Sequence, residues 1–281
     1  MAKLTLPPDI KKTVKAALKE DIGKGDITAS LIPPETTAKA ALITREIAVL
    51  CGQAWFNEAM LQLSDEIMIS WQAKEGELIN ENQILCTIQG PARAILSAER
   101  VALNFVQLLS GIATESRRYA DRVKGLKTII RDTRKTIPGL RLAQKYAVRC
   151  GGSENHRCGL YDGVLIKENH ILACGSITKA VAEIRANHPK MMIEVEVENL
   201  DELREALAAK ADMLLLDNFD RAMLQRAVII NKGQAKLEVS GGVNFNEIRS
   251  LAESGIDYIA IGTLTKNVQS IDLSMRFTTN I

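Results

Sequence analysis

The hydrophobic pattern divides the chain into two parts with different rhythms. Residues 7–22 repeat at helical spacing after Pro7-Pro8 and stop at Gly23, which predicts one short amphipathic helix. Strand-like runs follow at Ala38 to Leu50, Ile67 to Trp71 and Ile84 to Ile88, the last bounded by Asn82 and Gly90-Pro91. The stretch from Glu75 to Leu85 resembles a turn of a lipoyl- or biotinyl-type sandwich. No Met-Lys-Met or Asp-Lys-Ala carrier lysine follows, so a packing module is expected rather than a swinging arm. A long helix comes next, with Ser97 as its expected N-cap and Glu99 in the first turn. Val101, Phe105, Leu108, Leu109 and Ile112 recur at helical spacing and read as core, while Arg100 and Asn104, one turn apart, fit a solvated face.

From residue 128 the rhythm becomes strand, loop, helix, strand. Apolar runs occur at Thr128 to Ile130, Val164 to Ile166, Ile193 to Val197, Met213 to Leu216, Leu237 to Val239 and Tyr258 to Ile261. Asn199 with Glu202 predicts a capped helix start before Leu203 to Ala209, and Gly255 closes a helix that begins near Asn246. Repeated βα units imply a parallel sheet with helices outside, and about six of them suggest a barrel or partial barrel. The run Ile193 to Val197 carries acids inside a strand, which is costly unless they face a functional mouth or a partner.

Each of these runs leads into groups able to do chemistry. They are Arg131-Asp132-Thr133-Arg134-Lys135, Lys167, Glu196, Asp217-Asn218, Ser240-Gly241-Gly242 and Gly262-Thr263. Active sites of β/α barrels are built at the carboxyl ends of the strands, so six such ends in succession point to one mouth. The last two ends are glycine-rich, and their backbone N–H groups suit a phosphate. Neither a P-loop nor a GxGxxG motif is present.

Charge sharpens the picture. The chain has 281 residues with 36 basic and 34 acidic side chains, a net charge of +2, so no global field favours nucleic acid or an anionic membrane. Within residues 131–167, however, Arg131, Arg134, Lys135, Arg141, Lys145, Arg149, Arg157 and Lys167 stand against Asp132, Glu154 and Asp162. A local cationic pocket in a near-neutral protein fits a small polyanion. Arg141, Lys145 and Arg149, four residues apart, read as a solvated helix face; Arg134-Lys135, His156-Arg157 and Lys167 do not. His156 reads as an anion donor or proton-transfer group, or as a structural histidine. Glu196 and Asp217 suit Mg²⁺, ribose hydroxyls or a developing cation, with an ion pair to Lys167 as the plainer alternative. The five cysteines are odd in number and lack CxxC spacing, so reduced thiols are expected rather than a zinc site or disulfides. Uninterrupted apolar runs are short and the start lacks a signal-peptide core, so a cytoplasmic protein with no membrane span is expected.

Taken in order, several motifs resemble quinolinate phosphoribosyltransferase, the carboxylating nicotinate-nucleotide pyrophosphorylase family. They are Glu99 to Phe105, Leu109 to Ala113, Asp132 to Arg141, Lys145 to Val148, Asn155-His156-Arg157, Leu165 to His170, Glu194 to Val197, Leu216 to Phe219, Ser240-Gly241-Gly242 and Leu264-Thr265-Lys266. The chain departs from the family pattern at Ser153, where a third glycine is usual, and at Asn267, where His or Ser is common.

The resemblance implies an α/β fold: an N-terminal α/β sandwich domain over 1–110, to which the tail 268–281 returns, and an open (partial) β/α barrel over 111–267. It implies a cytoplasmic homodimer that uses Mg²⁺ and converts quinolinate and phosphoribosyl pyrophosphate to nicotinate mononucleotide, pyrophosphate and CO₂. Quinolinate is then expected to meet Thr133, Arg134, Lys135, His156, Arg157 and Lys167, with Arg100 supplied across the dimer. Glu196 and Asp217 are expected to serve Mg²⁺ and the ribose, and Lys135, Lys167, Glu196 and Asp217 to be catalytic. Ser240, Gly241, Gly242, Ile261, Gly262 and Thr263 are expected to hold the 5′-phosphate. Three other functions compete: a related protein associated with molybdenum transport, against which the Arg134-Lys135 and Asn155-His156-Arg157 motifs argue; a Schiff-base aldolase using Lys167; and a non-catalytic phosphosugar-binding regulator.

Overall fold

The structure, a computed structural model, describes residues 4–278; residues 1–3 and 279–281, which the expected domain ranges include, lie outside the described residues. In chain order the helices and strands are α1 (Ile10–Ile22), β1 (Thr37–Thr44), β2 (Ala48–Val49), α2 (Gln53–Leu61), β3 (Met68–Trp71), β4 (Leu78–Ile79), β5 (Ile84–Pro91), α3 (Ala92–Arg122), β6 (Ile129–Arg131), α4 (Arg141–Cys150), β7 (Val164–Ile166) and α5 (Glu168–Cys174). There follow α6 (Ile177–Asn187), β8 (Ile193–Val197), α7 (Leu200–Ala208), β9 (Met213–Asp217), α8 (Arg221–Asn231), β10 (Lys236–Ser240), α9 (Ile248–Ala252), β11 (Tyr258–Ala260), α10 (Thr263–Lys266) and β12 (Leu273–Thr278).

The chain forms two compact units: Met1–Arg117 with Thr136–Gly152 and Thr263–Ile281, and Arg118–Lys135 with Ser153–Gly262. This differs from a single cut near residue 110, because α4 and α10 join the first unit. In the first unit the antiparallel sheet runs β12-β1-β5-β3, so the tail does return to the N-terminal sheet, pairing Thr44 with Leu273 through Lys39 with Thr278. Gly111 is needed on α3 at this return, since a Cβ there would collide with the Gln269 carbonyl. Aromatic rings knit the core: Phe56 of α2 meets Trp71 of β3 at 5.4 Å, and Trp55 meets Tyr146 of α4 at 5.3 Å. The stretch after Glu75 serves packing: β4 pairs with β2, and the Glu75 carboxylate accepts the N–H groups of Gly52 and Gln53 at the start of α2.

Two expectations change here. The long helix starts at Ala92, not at Ser97: Ala92 N–H donates to the Thr36 carbonyl, and Ser97, already inside the helix, donates from its hydroxyl to Asp26 at 2.7 Å. Pro91 just ahead of the first turn was the sequence signal, because its missing N–H costs nothing there. The same helix is long and apolar enough to cross a membrane by length and composition, although short uninterrupted runs had suggested no such segment; 61% of its apolar window is buried inside the protein.

The second unit carries one sheet of six parallel strands in the order β6-β11-β10-β9-β8-β7. Met213 to Leu216 in β9 are all buried, as expected for a parallel strand covered on both faces. Among the described residues β6 and β7 are not paired with each other, so the barrel is open between them. Asn199 caps α7 by accepting N–H groups of Asp201 and Glu202.

Candidate active site

The strand order sets the site. Thr133, Arg134 and Lys135 follow β6, Lys167 follows β7, Glu196 lies near the end of β8, and Ser240 ends β10. Together with His156, Arg157, Leu165, Leu215, Glu238 and Ala260 they line one cavity of about 290 Å³ at the carboxyl ends of the strands. Gly262 makes room for two of these side chains: a Cβ there would sit 3.0 Å from Lys135 Cδ and 3.4 Å from Thr133 Oγ1. Lys135 N–H donates to Thr133 Oγ1 at 3.1 Å, which tightens the turn after β6.

Opposite charges face each other across this mouth. Lys167 Nζ donates to Glu196 Oε2 at 2.9 Å, so the ion pair weighed as an alternative is present. Asp217, at the end of β9, accepts from Asn218 Nδ2 at 2.8 Å. Burial and the neighbouring Glu196 push the Asp217 carboxyl above its ordinary value, against the pull of Lys167 and Lys135. Burial, with Arg134 beside it, lowers the Arg157 guanidinium, whose Nη1 donates to the Gly163 carbonyl at 3.1 Å.

His156 is held from four directions. Its N–H donates to Asp132 Oδ1 at 2.8 Å, and Asp132 Oδ2 accepts from Asn155 Nδ2 at 2.7 Å. Ring Nε2 meets Glu194 Oε2 at 2.7 Å and lies 3.6 Å from Glu238 Oε1; ring Nδ1 accepts the Arg157 N–H at 2.8 Å. Glu238 in turn accepts from Arg131 Nη1 at 3.2 Å, and the Arg131 guanidinium covers the Tyr258 ring at 3.2 Å. Burial works against a charge on His156, yet the Glu194 hydrogen bond and the charges of Glu194 and Glu238 together prevail and raise the ring above its ordinary value. Burial drives the Glu238 carboxyl up to about 7, with Glu194 adding to the rise and His156 and Arg131 opposing it.

The glycine-rich ends adjoin the carboxylates. Gly241 and Gly242 have φ of +87° and +54°, and a Cβ on Gly241 would collide with the Asn218 amide and crowd the Asp217 carboxylate. Ile261 is buried and its N–H donates to the Arg131 carbonyl at 2.8 Å. Arg100 and Thr263 belong to the first unit: Arg100 is exposed on α3, and Thr263 opens α10.

The solvated reading of Arg141, Lys145 and Arg149 fails at Lys145. Small Ala143 and Ala147 let α4 sink into the first unit, burying Gln144 and Lys145; Gln144 Nε2 donates to the Thr265 carbonyl and its Oε1 accepts from Ile137 N–H. Sequence reasoning placed Arg131 and Asp132 at this mouth without a role and missed Glu238; the signal for Glu238 was an acid inside an apolar strand run, read for Ile193 to Val197 but not for Leu237 to Val239. It also missed that Cys51, Glu75 and Cys150 place their donor atoms within 4.8 Å of one another, since the two cysteines are far apart in sequence. None of the five cysteines is joined in a disulfide.

An open β/α barrel whose strand ends set lysines and arginines against paired carboxylates, beside glycine-rich turns, is the layout of an enzyme for small polyanionic substrates. Residues 112–276 match the quinolinate phosphoribosyl transferase C-terminal domain, and residues 26–110 match the N-terminal domain of the same family. The chain is 40% identical to the probable carboxylating nicotinate-nucleotide pyrophosphorylase of Bacillus subtilis, covering 96% of this chain and 93% of that one. It is 40% identical to the carboxylating nicotinate-nucleotide pyrophosphorylase of Mycobacterium leprae, covering 94% and 96%. The solved nicotinate-nucleotide pyrophosphorylase of Francisella tularensis superposes with a TM-score of 0.93 at 46% identity, covering 98% of each chain. The chain belongs to the quinolinate phosphoribosyl transferase family.

Proposed function

We infer that this protein carries out its family's reaction: it transfers the phosphoribosyl group of phosphoribosyl pyrophosphate to the ring nitrogen of quinolinate, with decarboxylation. The products are nicotinate mononucleotide, pyrophosphate and CO₂, a step of de novo NAD biosynthesis. The observation that carries this reading is the single cavity in which Arg134, Lys135, Arg157 and Lys167 face Glu196 and Ser240.

Quinolinate brings two carboxylates, and the four cations answer them with charge-assisted hydrogen bonds, each worth about 1.5–3 kcal/mol. The arginine forks fit a planar carboxylate in two points, while lysine supplies a compact charge. The C1′–oxygen bond of phosphoribosyl pyrophosphate breaks with its electron pair leaving on pyrophosphate, and the pyridine nitrogen lone pair forms the new bond to C1′. Glu196 and Asp217 oppose the positive charge that develops on the ribosyl carbon. The Ser240-Gly241-Gly242 turn, Ile261-Gly262 and Thr263 would receive the 5′-phosphate through backbone N–H groups. Once alkylated, the ring nitrogen is cationic; the C2–carboxylate bond then breaks, its electron pair stays on C2 beside that charge, and C2 takes up a proton. The substrate thus makes its own electron sink.

Two neighbouring carboxylates, of which Asp217 is raised by burial and then by the charge of Glu196, are a donor set that suits a hard divalent cation. Glu196 and Asp217 would hold Mg²⁺, directly or through water, and the ion would supply charge for the pyrophosphate leaving group. The active assembly is a cytoplasmic homodimer in which Arg100 serves the partner's site, with no nucleic acid or membrane involved. The test is product identity: purified protein given quinolinate, phosphoribosyl pyrophosphate and Mg²⁺ should yield nicotinate mononucleotide. Binding of phosphoribosyl pyrophosphate without turnover would assign the cavity to a regulator instead.

A further inference from the structure

Glu194 and Glu238 stand on β8 and β10, with β9 between them. Two steps across a sheet span ~10 Å. Their carboxylate oxygens and His156 Nε2 nevertheless lie within 4.8 Å of one another, because the side chains converge on the concave side of the open barrel. Both acids are buried, Glu238 completely. Arg131 Nε, Glu194 Oε1 and Glu238 Oε1 are buried with no hydrogen-bond partner among the described residues. An array this incompletely satisfied costs stability, since breaking or under-pairing buried charges is more expensive than an apolar filling. Stability therefore gives no reason for two acids at this place.

The geometry around His156 gives one. With Nε2 turned to the two carboxylates, Nδ1 is left as the acceptor for the Arg157 amide at 2.8 Å. Each ring nitrogen is then engaged inside the protein, and the ring links the strand acids to the backbone from which the Arg157 side chain enters the cavity. Asp132 holds the same stretch from the other side, through the His156 amide and Asn155.

We propose that Glu194 and Glu238 are positioning residues: they clamp His156 at Nε2, and His156 in turn fixes the Arg157 backbone, so that the guanidinium is presented to a quinolinate carboxylate. In this arrangement His156 organises the anion site through Arg157. Glu238 also anchors Arg131, whose carbonyl accepts the Ile261 N–H, so the clamp reaches the β11 end of the mouth. The proposal rests on the quinolinate reading, and its test separates the two.

The first measurement is ¹⁵N NMR of the His156 ring in the full-length protein at about pH 8.5, where an ordinary histidine is neutral. The expected result is an N–H at Nε2 and an unprotonated Nδ1, lost or mixed in Glu194→Gln. A proton on Nδ1 in the wild type would overturn the proposal whatever the enzyme turns over. The second is steady-state kinetics. Glu238→Leu is expected to raise KM for quinolinate roughly tenfold, with the KM for phosphoribosyl pyrophosphate little changed. Glu238→Gln, whose amide oxygen still accepts from Arg131 and stays beside His156 Nε2, should recover most of that loss. An equal rise in both KM values, or no recovery with Gln, would overturn it. If Glu238→Leu fails to fold, the ring spectra of the wild type and Glu194→Gln decide. Failure of the wild type to use quinolinate would sink the functional reading and leave the ring spectra standing.

Discussion

Lys167 Nζ and Glu196 Oε2 lie 2.9 Å apart across the ends of β7 and β8. The cation assigned to quinolinate and the carboxylate assigned to the ribose are thus paired with each other before either meets a substrate. The lysine side chain is 48% exposed, and pairs of this kind contribute only about 0–1 kcal/mol to stability. The pair is easily exchanged for substrate. Lys167→Ala should leave the melting temperature nearly unchanged while kcat/KM for quinolinate falls by roughly 10–100-fold, the loss of one charge-assisted contact. A large drop in melting temperature with intact kinetics would assign Lys167 to the fold.

Arg157 is expected to resist conservative replacement. Its guanidinium already spends one Nη on the Gly163 carbonyl, and the residue lines the cavity. Arg157→Lys keeps the charge and loses the fork, so kcat/KM for quinolinate should fall nearly as far as in Arg157→Ala. Steady-state assays of both variants decide; near wild-type kinetics in Arg157→Ala would remove the residue from the anion site.

Gly241 tests the phosphate turn. Its φ of +87° is strained for any other residue, and a Cβ would crowd both Asn218 and Asp217. Gly241→Ala should raise KM for phosphoribosyl pyrophosphate by about tenfold or more, through a misplaced turn and a displaced Asp217. Quinolinate binding in isolation, followed by calorimetry, should change much less.

Glu238 gives a pH signature. Its carboxyl is raised to about 7, so between the ordinary carboxylate value and that pH the folded protein holds a proton that the unfolded chain has released. Stability contributed by the neutral form is therefore present at low pH and lost as pH rises toward 7. Glu238→Gln removes that loss. Compared with wild type, the variant should gain stability between about pH 5 and 8, by on the order of 2–3 kcal/mol over the window. Urea unfolding at both pH values measures it; a parallel pH dependence in the two proteins would contradict a buried proton on Glu238.

Arg100 tests the shared site. If it acts across a dimer, Arg100→Ala and Lys167→Ala subunits, each strongly impaired alone, should recover activity when mixed, well above that of either variant by itself. Absence of any recovery, with mixed dimers confirmed by native mass spectrometry, would place the site within one chain.

Much of this was legible because chemistry and periodicity coincide at strand ends. Lys167 and Asp217 each follow a short Ile/Val/Leu run, Glu196 stands one residue before the end of β8, and β8 has the expected bounds. The helix start was misread because Ser97 is a good cap by type, while Pro91 holds the true boundary. Lys145 was misread because spacing along a helix says nothing about what packs over it. Glu238 was passed over for a similar reason: a lone acid in a strand run shows its cost in the sequence but not its partners. Those come from Arg131 and His156, both far away in the chain.

The most direct test of the central claim follows the carboxyl carbon. Quinolinate labelled at the C2 carboxylate, with phosphoribosyl pyrophosphate and Mg²⁺, should release labelled CO₂ in equal amount to nicotinate mononucleotide, and neither without both substrates. Label retained in a nucleotide product, or quinolinate left untouched while phosphoribosyl pyrophosphate binds, would contradict it.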